Sequence, residues 1–318
     1  MSVADLQIYS AGALLEQAAQ VSPWRSRRRY GILTRGAAGL LALPALVVVS
    51  GGTLYALVEV IRLSLLHEDF LSGGVASFAG WSNFAAILVN GPFLNALERS
   101  VFFTVPSVIG QLCLGLGLAI LTQSGSRSMK VCRAAIAVPW AMPPIVVAIV
   151  WRFLYLPGAS PVASILSFFG LQQGILAAPA WALGALVLAN IWEFTPLYFL
   201  FLSAGVQGLS PAVLEASQVD GSSRIQQIRF IIVPQLRPLL ATLAAVDILS
   251  SMAIFDLIWV MTQGGPTGAT ETGAIYVYQL AFQSYEFGEA SAAVVVMALA
   301  SLVLAGLAYF VVKGRAER

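Results

Sequence analysis

The chain has 318 residues, of which 58% are hydrophobic and 10% are charged. A soluble globular domain carries about 25% charged residues, so this composition excludes an ordinary soluble enzyme or binding module. Apolar runs of about 20 residues, the length that crosses the hydrocarbon core of a bilayer, recur along the chain. The sequence therefore predicts an all-α polytopic membrane protein in contact with lipid, and no nucleic-acid partner is expected.

Few residues are available for metal binding or redox chemistry. His67 is the single histidine, and the two cysteines, Cys113 and Cys132, are expected in a span and in a cytoplasmic loop. Neither a disulfide framework nor a metal site follows from such a set. We therefore expect no metal and no catalytic residue in this chain.

Six runs are long and apolar enough to cross a membrane. The first is long enough to tilt or to extend beyond the hydrocarbon. Together they define a transmembrane domain over residues 37–312, between tails over residues 1–36 and 313–318. In chain order the expected spans are Ala37–Leu65, Ser100–Leu121, Ala134–Leu156, Ala180–Leu202, Leu239–Met261 and Ala290–Val312.

The basic residues indicate the orientation. An even number of spans places both tails on one side of the membrane, and that side then receives 14 of the 17 lysine and arginine residues. The exceptions, Arg62, Arg99 and Arg152, fall at the opposite ends of spans. Because positive charge is enriched on the cytoplasmic side of membrane proteins, both tails are expected in the cytoplasm. The protein is expected to be a multi-pass component of the cell (inner) membrane.

The segment over residues 206–238, which this orientation places in the cytoplasm, is polar and interrupted by glycine. Ser210 and Pro211 form a favourable helix start, since serine caps helices and proline suits the first helical position. Gly221 permits a sharp change of direction. Ser222 can cap a second short helix, which Pro234 is expected to end. This helix–turn–helix is either a rigid knob for a cytoplasmic partner or a linker lying on lipid headgroups.

The same segment resembles the EAA loop of permease subunits from binding-protein-dependent ABC importers. That loop has a glutamate, two small residues, an aspartate–glycine pair starting five positions after the glutamate, and a helix ended by proline. The positions that match here are Glu215, Ala216, Ser217, Asp220, Gly221, Val233, Pro234, Leu236 and Pro238. Ser217 stands where the family often has alanine, and Val233 where it often has leucine. The resemblance implies that this loop is a coupling helix that docks on an ATP-hydrolysing subunit.

Further motifs narrow the resemblance to carbohydrate permeases of the maltose and glycerol-phosphate type. They are FAGWSNF at residues 78–84, PFLNAL at 92–97, IFDLIWVMTQGGPTGATET at 254–272 and FGEASA at 287–292. The resemblance implies the type I permease fold and the import of a sugar or sugar derivative. It also implies a second permease subunit, two ATP-binding subunits and an extracytoplasmic sugar-binding protein as partners.

A nucleotide-binding loop of the form GxxxxGK[ST] does not occur in the sequence. We therefore expect ATP hydrolysis, with its ATP and magnesium, on separate ATPase subunits, and no cofactor in this chain. An ion-coupled secondary transporter is the alternative function, although the internal repeats of many such transporters are not seen. An intramembrane enzyme would need paired catalytic groups. Asp247 and Asp256 would lie on opposite faces of one straight helix, so they could not form such a pair.

Ionisable residues inside spans cost about 2.5–3.5 kcal/mol each at the bilayer centre on insertion scales, so they are candidates for function. Glu193 lies near the middle of the fourth span, where Pro196 predicts a local kink. Sugars need hydrogen-bonding groups and aromatic faces, and the expected substrate-pathway residues are Asn190, Trp192, Glu193, Tyr198, Asp247 and Phe255. Glu193 can instead be protonated or paired with the partner permease, with the sole role of holding helices together. The resembled family often carries a basic or polar residue at that position.

The fifth expected span leads into a turn-rich stretch that begins with Gly264, Gly265 and Pro266. The family resemblance runs through this stretch, which favours contact with the extracytoplasmic binding protein over an ordinary exposed loop. Asp256, beside the stretch, is expected to cap a helix or act in gating rather than bind substrate.

Overall fold

The structure is a computed structural model that describes residues 35–68, 76–89, 91–123, 126–168 and 170–314. Nearly all of the two expected tails lies outside these residues, so their cytoplasmic location stays a prediction. The chain divides into two units, Met1–Ala56 and Leu57–Arg318.

The described residues form thirteen α-helices and one short antiparallel hairpin. The elements are α1 Arg35–Ser64, β1 Leu66–Glu68, β2 Ala76–Phe78, α2 Ser82–Val89, α3 Pro92–Leu121, α4 Arg127–Ala137, α5 Pro144–Tyr155, α6 Pro161–Phe168, α7 Pro179–Gln207, α8 Pro211–Val219, α9 Arg224–Gln227, α10 Val233–Met252, α11 Asp256–Thr262, α12 Gly273–Phe282 and α13 Phe287–Lys313. Single 3-10 turns occupy Pro139–Ala141 and Ile175–Ala177, and Ile228–Ile232 forms a π-helical turn.

Five helices among the described residues are long and apolar enough to cross a membrane, or six if one bent pair is counted as a single span. This agrees with the expected six-span helical fold. The second expected span begins eight residues earlier than predicted, at Pro92. Proline suits the first turn of a helix, because N–H groups there have no acceptor within the helix and proline has no N–H. Within the first unit, the apolar side chains Leu46, Val47, Val48 and Val49 of α1 are exposed.

The third expected span, Ala134–Leu156, is not one helix. Its first part, Arg127–Ala141, and its second part, Pro144–Tyr155, meet at an angle of 97°. Met142 and Pro143 between them have extended backbone, with ψ of 142° and 135°. Each of these residues precedes a proline, which disfavours the helical conformation. Hydropathy alone could not detect this break, because the whole stretch is apolar.

The fifth expected span, Leu239–Met261, is also wrong in its bounds. A continuous helical segment runs over Arg224–Met252, and the chain breaks between Ala253 and Phe255 before α11 begins. Before the break, the Ser250 hydroxyl donates to the Val246 carbonyl four residues back, a bond that bends helices. Asp256 then lies in the first turn of α11, where a carboxylate is favourable.

This break also changes how Asp247 and Asp256 are related. The prediction placed them on opposite faces of one straight helix. They belong instead to two helices, α10 and α11, so a helical-wheel angle does not describe their separation.

The packing of α3 against α7 forms the interior of the second unit. A Cβ added at Gly115 of α3 would lie 3.0 Å from the Phe199 backbone nitrogen and 3.2 Å from the Tyr198 backbone carbon of α7. Gly110, one turn earlier, lies against the Ile191 side chain. Small residues let membrane helices approach to backbone contact, where dispersion rather than a hydrophobic effect holds them together.

Two of the sequence motifs meet at the outer end of α1. The amide of Asn83, in FAGWSNF, donates to the Ser64 and Leu66 carbonyls over 2.9 and 2.8 Å. A Cβ at Gly288, in FGEASA, would lie 2.4 Å from the Leu66 carbonyl oxygen. The two motifs therefore have a structural role: Asn83 pairs carbonyls at and just beyond the end of α1, and Gly288 leaves room for this close approach.

We predict that Gly115→Val lowers the thermal stability of the chain, because its side chain would meet backbone atoms that cannot move aside. Overpacking of this kind costs about 1–3 kcal/mol. Gly117→Val is the matched control, since nothing lies within 4 Å of a Cβ added at Gly117 of the same helix. Fluorescence-detected melting of both variants in detergent measures the difference, and equal melting temperatures would contradict the close approach of α3 and α7.

Candidate functional site

A cavity of about 230 Å³ lies where the broken helices meet. Pro144 starts α5, Glu193 and Phe194 come from the middle of α7, and the stretch from Ala253 to Leu257 covers the break before α11. Helices broken within a membrane commonly form binding sites, because the freed backbone and polar side chains line a cavity there. The cavity is therefore a candidate functional site.

Glu193 is the most unusual residue of this cavity. Its side chain is 2% exposed, and its Oε2 has no hydrogen-bond partner. The exposed carboxylate of Asp256 is close enough to Glu193 for electrostatic repulsion between them. α7 is continuous through Pro196. The pocket is therefore rich in hydrogen-bond acceptors, and its carboxylate oxygens can accept hydrogen bonds from a bound molecule.

The other polar candidates lie deeper, between α3, α7 and α10. The Asn190 carbonyl accepts a hydrogen bond from the Gln111 side chain over 3.2 Å, whereas both side-chain polar atoms of Asn190 are buried without a partner. The Asp247 carboxylate accepts from Ser251 over 3.0 Å and interacts with the Tyr198 hydroxyl. Asn190, Tyr198 and Asp247 line neither the cavity at Glu193 nor any of three other cavities in the described part of the chain.

The two aromatic candidates lie apart from each other. Trp192 is partly exposed on α7, where it packs edge-on against Trp151 of α5 with ring centroids 5.9 Å apart. Phe255 lines the cavity with Glu193 and stacks on Trp259 at 5.5 Å. Tyr278 of α12 contacts both of these rings. The structure thus brings Glu193 and Phe255 together, and it adds Asp256, Pro144 and Ser250, which sequence reasoning did not assign to the pathway.

The segment over residues 206–238 has the predicted helix–turn–helix form, with two corrections. Gly221 has φ of +79°, a left-handed conformation that glycine adopts without strain. The second helix is capped by Ser223 rather than Ser222, in a capping box with Gln226. Pro234 does not end that helix. In a regular α-helix the ring of Pro234 would clash with a carbonyl of the preceding turn. The wider π turn at Ile228–Ile232 avoids this clash, so the helix continues into α10.

The surface of this segment is both polar and apolar. Glu215, Ala216 and Asp220 are exposed, Pro234 is half-buried, and Ser217 is buried with its hydroxyl bonded to the Leu214 carbonyl. Val219 and Ile225, on either side of Gly221, are 88% and 77% exposed. Behind the segment, a cavity of about 530 Å³ separates it from the end of α3, with Gln123, Gln218 and Arg224 in its lining. Exposed apolar side chains on a capped, folded segment are typical of an interaction surface.

The turn-rich outer stretch is more tightly bonded than an ordinary loop. Thr270, which is fully buried, donates to the Gly265 carbonyl over 2.6 Å and contacts the Thr262 hydroxyl at 2.7 Å. Gly264 is buried, while Gly265 and Pro266 are half-buried and border a cavity of about 350 Å³ beside Arg152. The residues of this stretch that are fully exposed are Gln263 and Thr267.

Two opposing effects act on the pKa of Glu271, which lies at the end of this stretch. Burial raises the pKa of its carboxyl, and the nearby Arg99 guanidinium acts in the opposite direction. The backbone N–H of Gly273 then donates to the Ser100 hydroxyl over 2.8 Å, which joins the outer stretch to α3. The outer surface is therefore held by hydrogen bonds to the interior of the second unit.

Comparison with known proteins identifies the class. Residues 111–317 match the family described as the binding-protein-dependent transport system inner membrane component. This chain belongs to that family. The resemblance seen in the EAA-like segment is confirmed, and the matched region includes that segment, the broken helices and the cavity at Glu193.

Among its relatives, this chain is 31% identical over 251 residues to the trehalose/maltose transport system permease protein MalF of Thermococcus litoralis, covering 79% of this chain and 83% of that protein. It is 30% identical over 262 residues to the sulfoquinovosyl glycerol transport system permease protein SmoG of Agrobacterium fabrum, covering 81% and 84%.

Solved structures agree on the fold. A chain of a bacterial alginate ABC transporter, solved in complex with an alginate pentasaccharide-bound periplasmic protein, superposes with a TM-score of 0.71. The two share 20% sequence identity, and the match covers 88% of this chain and 94% of that one. A chain of the MetNI methionine ABC transporter, solved in inward-facing conformations, gives a TM-score of 0.53 at 14% identity. The importer permease fold is thus common to all three.

We predict that Val219→Cys is labelled only from the cytoplasmic side and Phe78→Cys only from the outside, because positive charge is enriched around the former's segment. Both positions are highly exposed. The two native cysteines are also exposed and must first be replaced by serine. A membrane-impermeant maleimide applied to intact cells and to inverted vesicles measures the sidedness. Labelling of Val219→Cys in intact cells would reverse the predicted topology.

Proposed function

We propose that this chain is one transmembrane subunit of an ATP-driven importer and forms half of the pathway for a sugar or sugar derivative. Its relatives include permease proteins named for trehalose, maltose and sulfoquinovosyl glycerol transport. The proposed partners are a second permease subunit, two ATP-binding subunits that carry ATP and magnesium, and an extracytoplasmic binding protein. This chain itself hydrolyses no ATP.

The observation that carries this proposal is the form of the segment around Gly221. Two short helices, the second of them capped by Ser223, present exposed apolar residues on the proposed cytoplasmic side, and the second helix is continuous with the fifth span over Arg224–Met252. A force applied at the exposed Ile225 would therefore reach the break at Ala253 along one continuous helix. In the proposed mechanism, closure of the ATPase subunits moves this segment, and the spans change from inward-facing to outward-facing.

The proposed solute pathway passes the cavity at the broken helices. Glu193 and Phe255 supply an acceptor and an aromatic face there, the two kinds of group that sugars need. Asn190, Tyr198 and Asp247 are proposed to line the pathway in a conformation with α3, α7 and α10 further apart, since the side-chain polar atoms of Asn190 and the Oδ2 of Asp247 have no partner in this one. Gly264, Gly265 and Pro266, with the exposed Gln263 and Thr267, are proposed to contact the binding protein.

The first test is a mild-detergent pull-down of the tagged chain from its native membrane, beside the double variant Glu215→Lys, Gly221→Pro. We expect the wild type to recover an ATPase, a second permease and a binding protein. The variant should lose only the ATPase, because it reverses a charge and removes a left-handed turn on the docking surface.

Lys130→Glu is the matched control for this test, since it reverses an exposed charge on the same side but outside the docking segment. It should retain the ATPase. Recovery of the wild-type chain alone, or as a homo-oligomer, would contradict the importer assembly and favour the ion-coupled secondary transporter.

The second test concerns the pathway. The recovered binding protein is screened against a panel of sugars, and the sugar that binds is then used for uptake. We predict that Phe255→Ala lowers its uptake by about two- to tenfold, since stacking on an aromatic face is lost at the cavity. Trp181→Ala, which removes an exposed aromatic residue near the start of α7, should leave uptake unchanged. Equal uptake by wild type and Phe255→Ala would remove this cavity from the pathway.

A further inference from the structure

The cavity at Glu193 has an excess of negative charge. Its lining contains two carboxylates, Glu193 and Asp256, together with the Ser250 hydroxyl and mainly apolar groups. Glu193 is almost fully buried and its Oε2 is unpartnered. No lysine or arginine lines the cavity among the described residues. Arg152, which follows the lining residue Pro144 on α5, donates instead to the Val260 carbonyl near the end of α11.

An ionised carboxylate in such a place requires a compensating group, and the alternative is that Glu193 takes up a proton. An ionisable residue in a membrane is costly unless it is paired or functional. The charge-assisted hydrogen bond that Oε2 can accept is about twice as strong as a neutral one. A sugar hydroxyl would satisfy one acceptor but would leave the repulsion between Glu193 and Asp256 in place. A cation would satisfy the acceptor and relieve that repulsion at the same time.

The cavity dimensions distinguish a solute from a bare ion. About 230 Å³ is several times the ~30 Å³ that a water molecule occupies in the liquid. Divalent cations take six or more oxygen ligands, and no group of three or more His, Cys, Asp or Glu side chains is gathered anywhere in the described part of the chain. Phe194, Phe255 and Leu257 instead offer apolar contacts to a carbon skeleton.

From this geometry we propose that the cavity binds a positively charged, ammonium-type group of the transported solute, with Glu193 as its buried acceptor and Asp256 as a second acceptor at the mouth. The solute is then an amino sugar or another cationic polyol. This assignment rests on the proposed transport function and specifies its substrate class.

The test is direct solute binding to the purified full-length chain in lipid nanodiscs, with any permease and ATPase subunits that co-purify and with the binding protein removed. The probe is radiolabelled D-glucosamine at a pH where its amine is protonated. D-glucose and N-acetyl-D-glucosamine are the neutral controls of the same ring size. The assay uses neither ATP nor the binding protein. A failed pull-down therefore counts against the importer assembly, whereas a failed binding assay counts against the cationic site.

We expect the wild type to retain glucosamine about tenfold more than either neutral sugar, the size of effect that a hydrogen bond to a charged group supports. Glu193→Gln should lose that preference, and Asp256→Asn should weaken it to a lesser extent because Asp256 is exposed. Glu193→Asp, which keeps the charge, should retain part of it. Glu98→Gln, an exposed carboxylate on α3, is the matched control and should behave as wild type.

Several outcomes would overturn the proposal. One is equal retention of glucosamine and glucose by the wild type, and another is an undiminished preference in Glu193→Gln. Retention of radioactive sodium without any difference between the sugars would indicate a site for a free inorganic cation. Loss of a co-purifying permease in Glu193→Gln, again without sugar discrimination, would indicate a pair between Glu193 and a base of that subunit. If Glu193→Gln does not fold, the wild-type comparison and Asp256→Asn still decide.

Discussion

The close approach of α3 and α7 is the contact on which the rest of the second unit depends. Gly115 allows backbone contact with Tyr198 and Phe199, and Gln111 donates across the same interface to the Asn190 carbonyl. Because lipid supplies no hydrophobic driving force between helices, this contact relies on dispersion and polar bonds. Once α7 is fixed against α3, the depth of Glu193 is fixed too, and the shorter helices α5 and α11 pack around it.

The breaks in the helices follow from elementary backbone constraints, yet together they create a site. Pro143 and Pro144 end one helix and start another, while Ser250 and Asp256 accompany the second break. Each break frees backbone groups that a membrane does not tolerate in contact with lipid. They are tolerated here because both breaks face a cavity beside α7. Glu193 and Asp256 thus lie beside the two places where these helices are interrupted.

The segment around Gly221 and the cavity lie at opposite ends of one continuous helical stretch. The capping box at Ser223 fixes the start of the second short helix, and the π turn at Ile228–Ile232 lets that helix pass Pro234 without interruption. The result is a helical rod from the exposed Ile225 to Met252, directly before the break at the cavity. No non-helical residue interrupts this rod before Ala253, which lines the cavity.

The sequence by itself determined the class of fold, the position of the coupling-like segment and the family, because hydropathy, glycine turns and short motifs are local properties. The glycine turn at Gly221 and the helix start at Pro211 were predictable for the same reason. Only the tertiary structure decided where α10 ends, whether Pro234 stops a helix, and which candidates share a cavity. Glu193 and Phe255 meet, while Asn190 and Asp247 are sealed between helices. Apolar composition is nearly uniform along these spans, so it carries no signal for a break or for a neighbour. Those depend on which backbone groups a packed partner can satisfy.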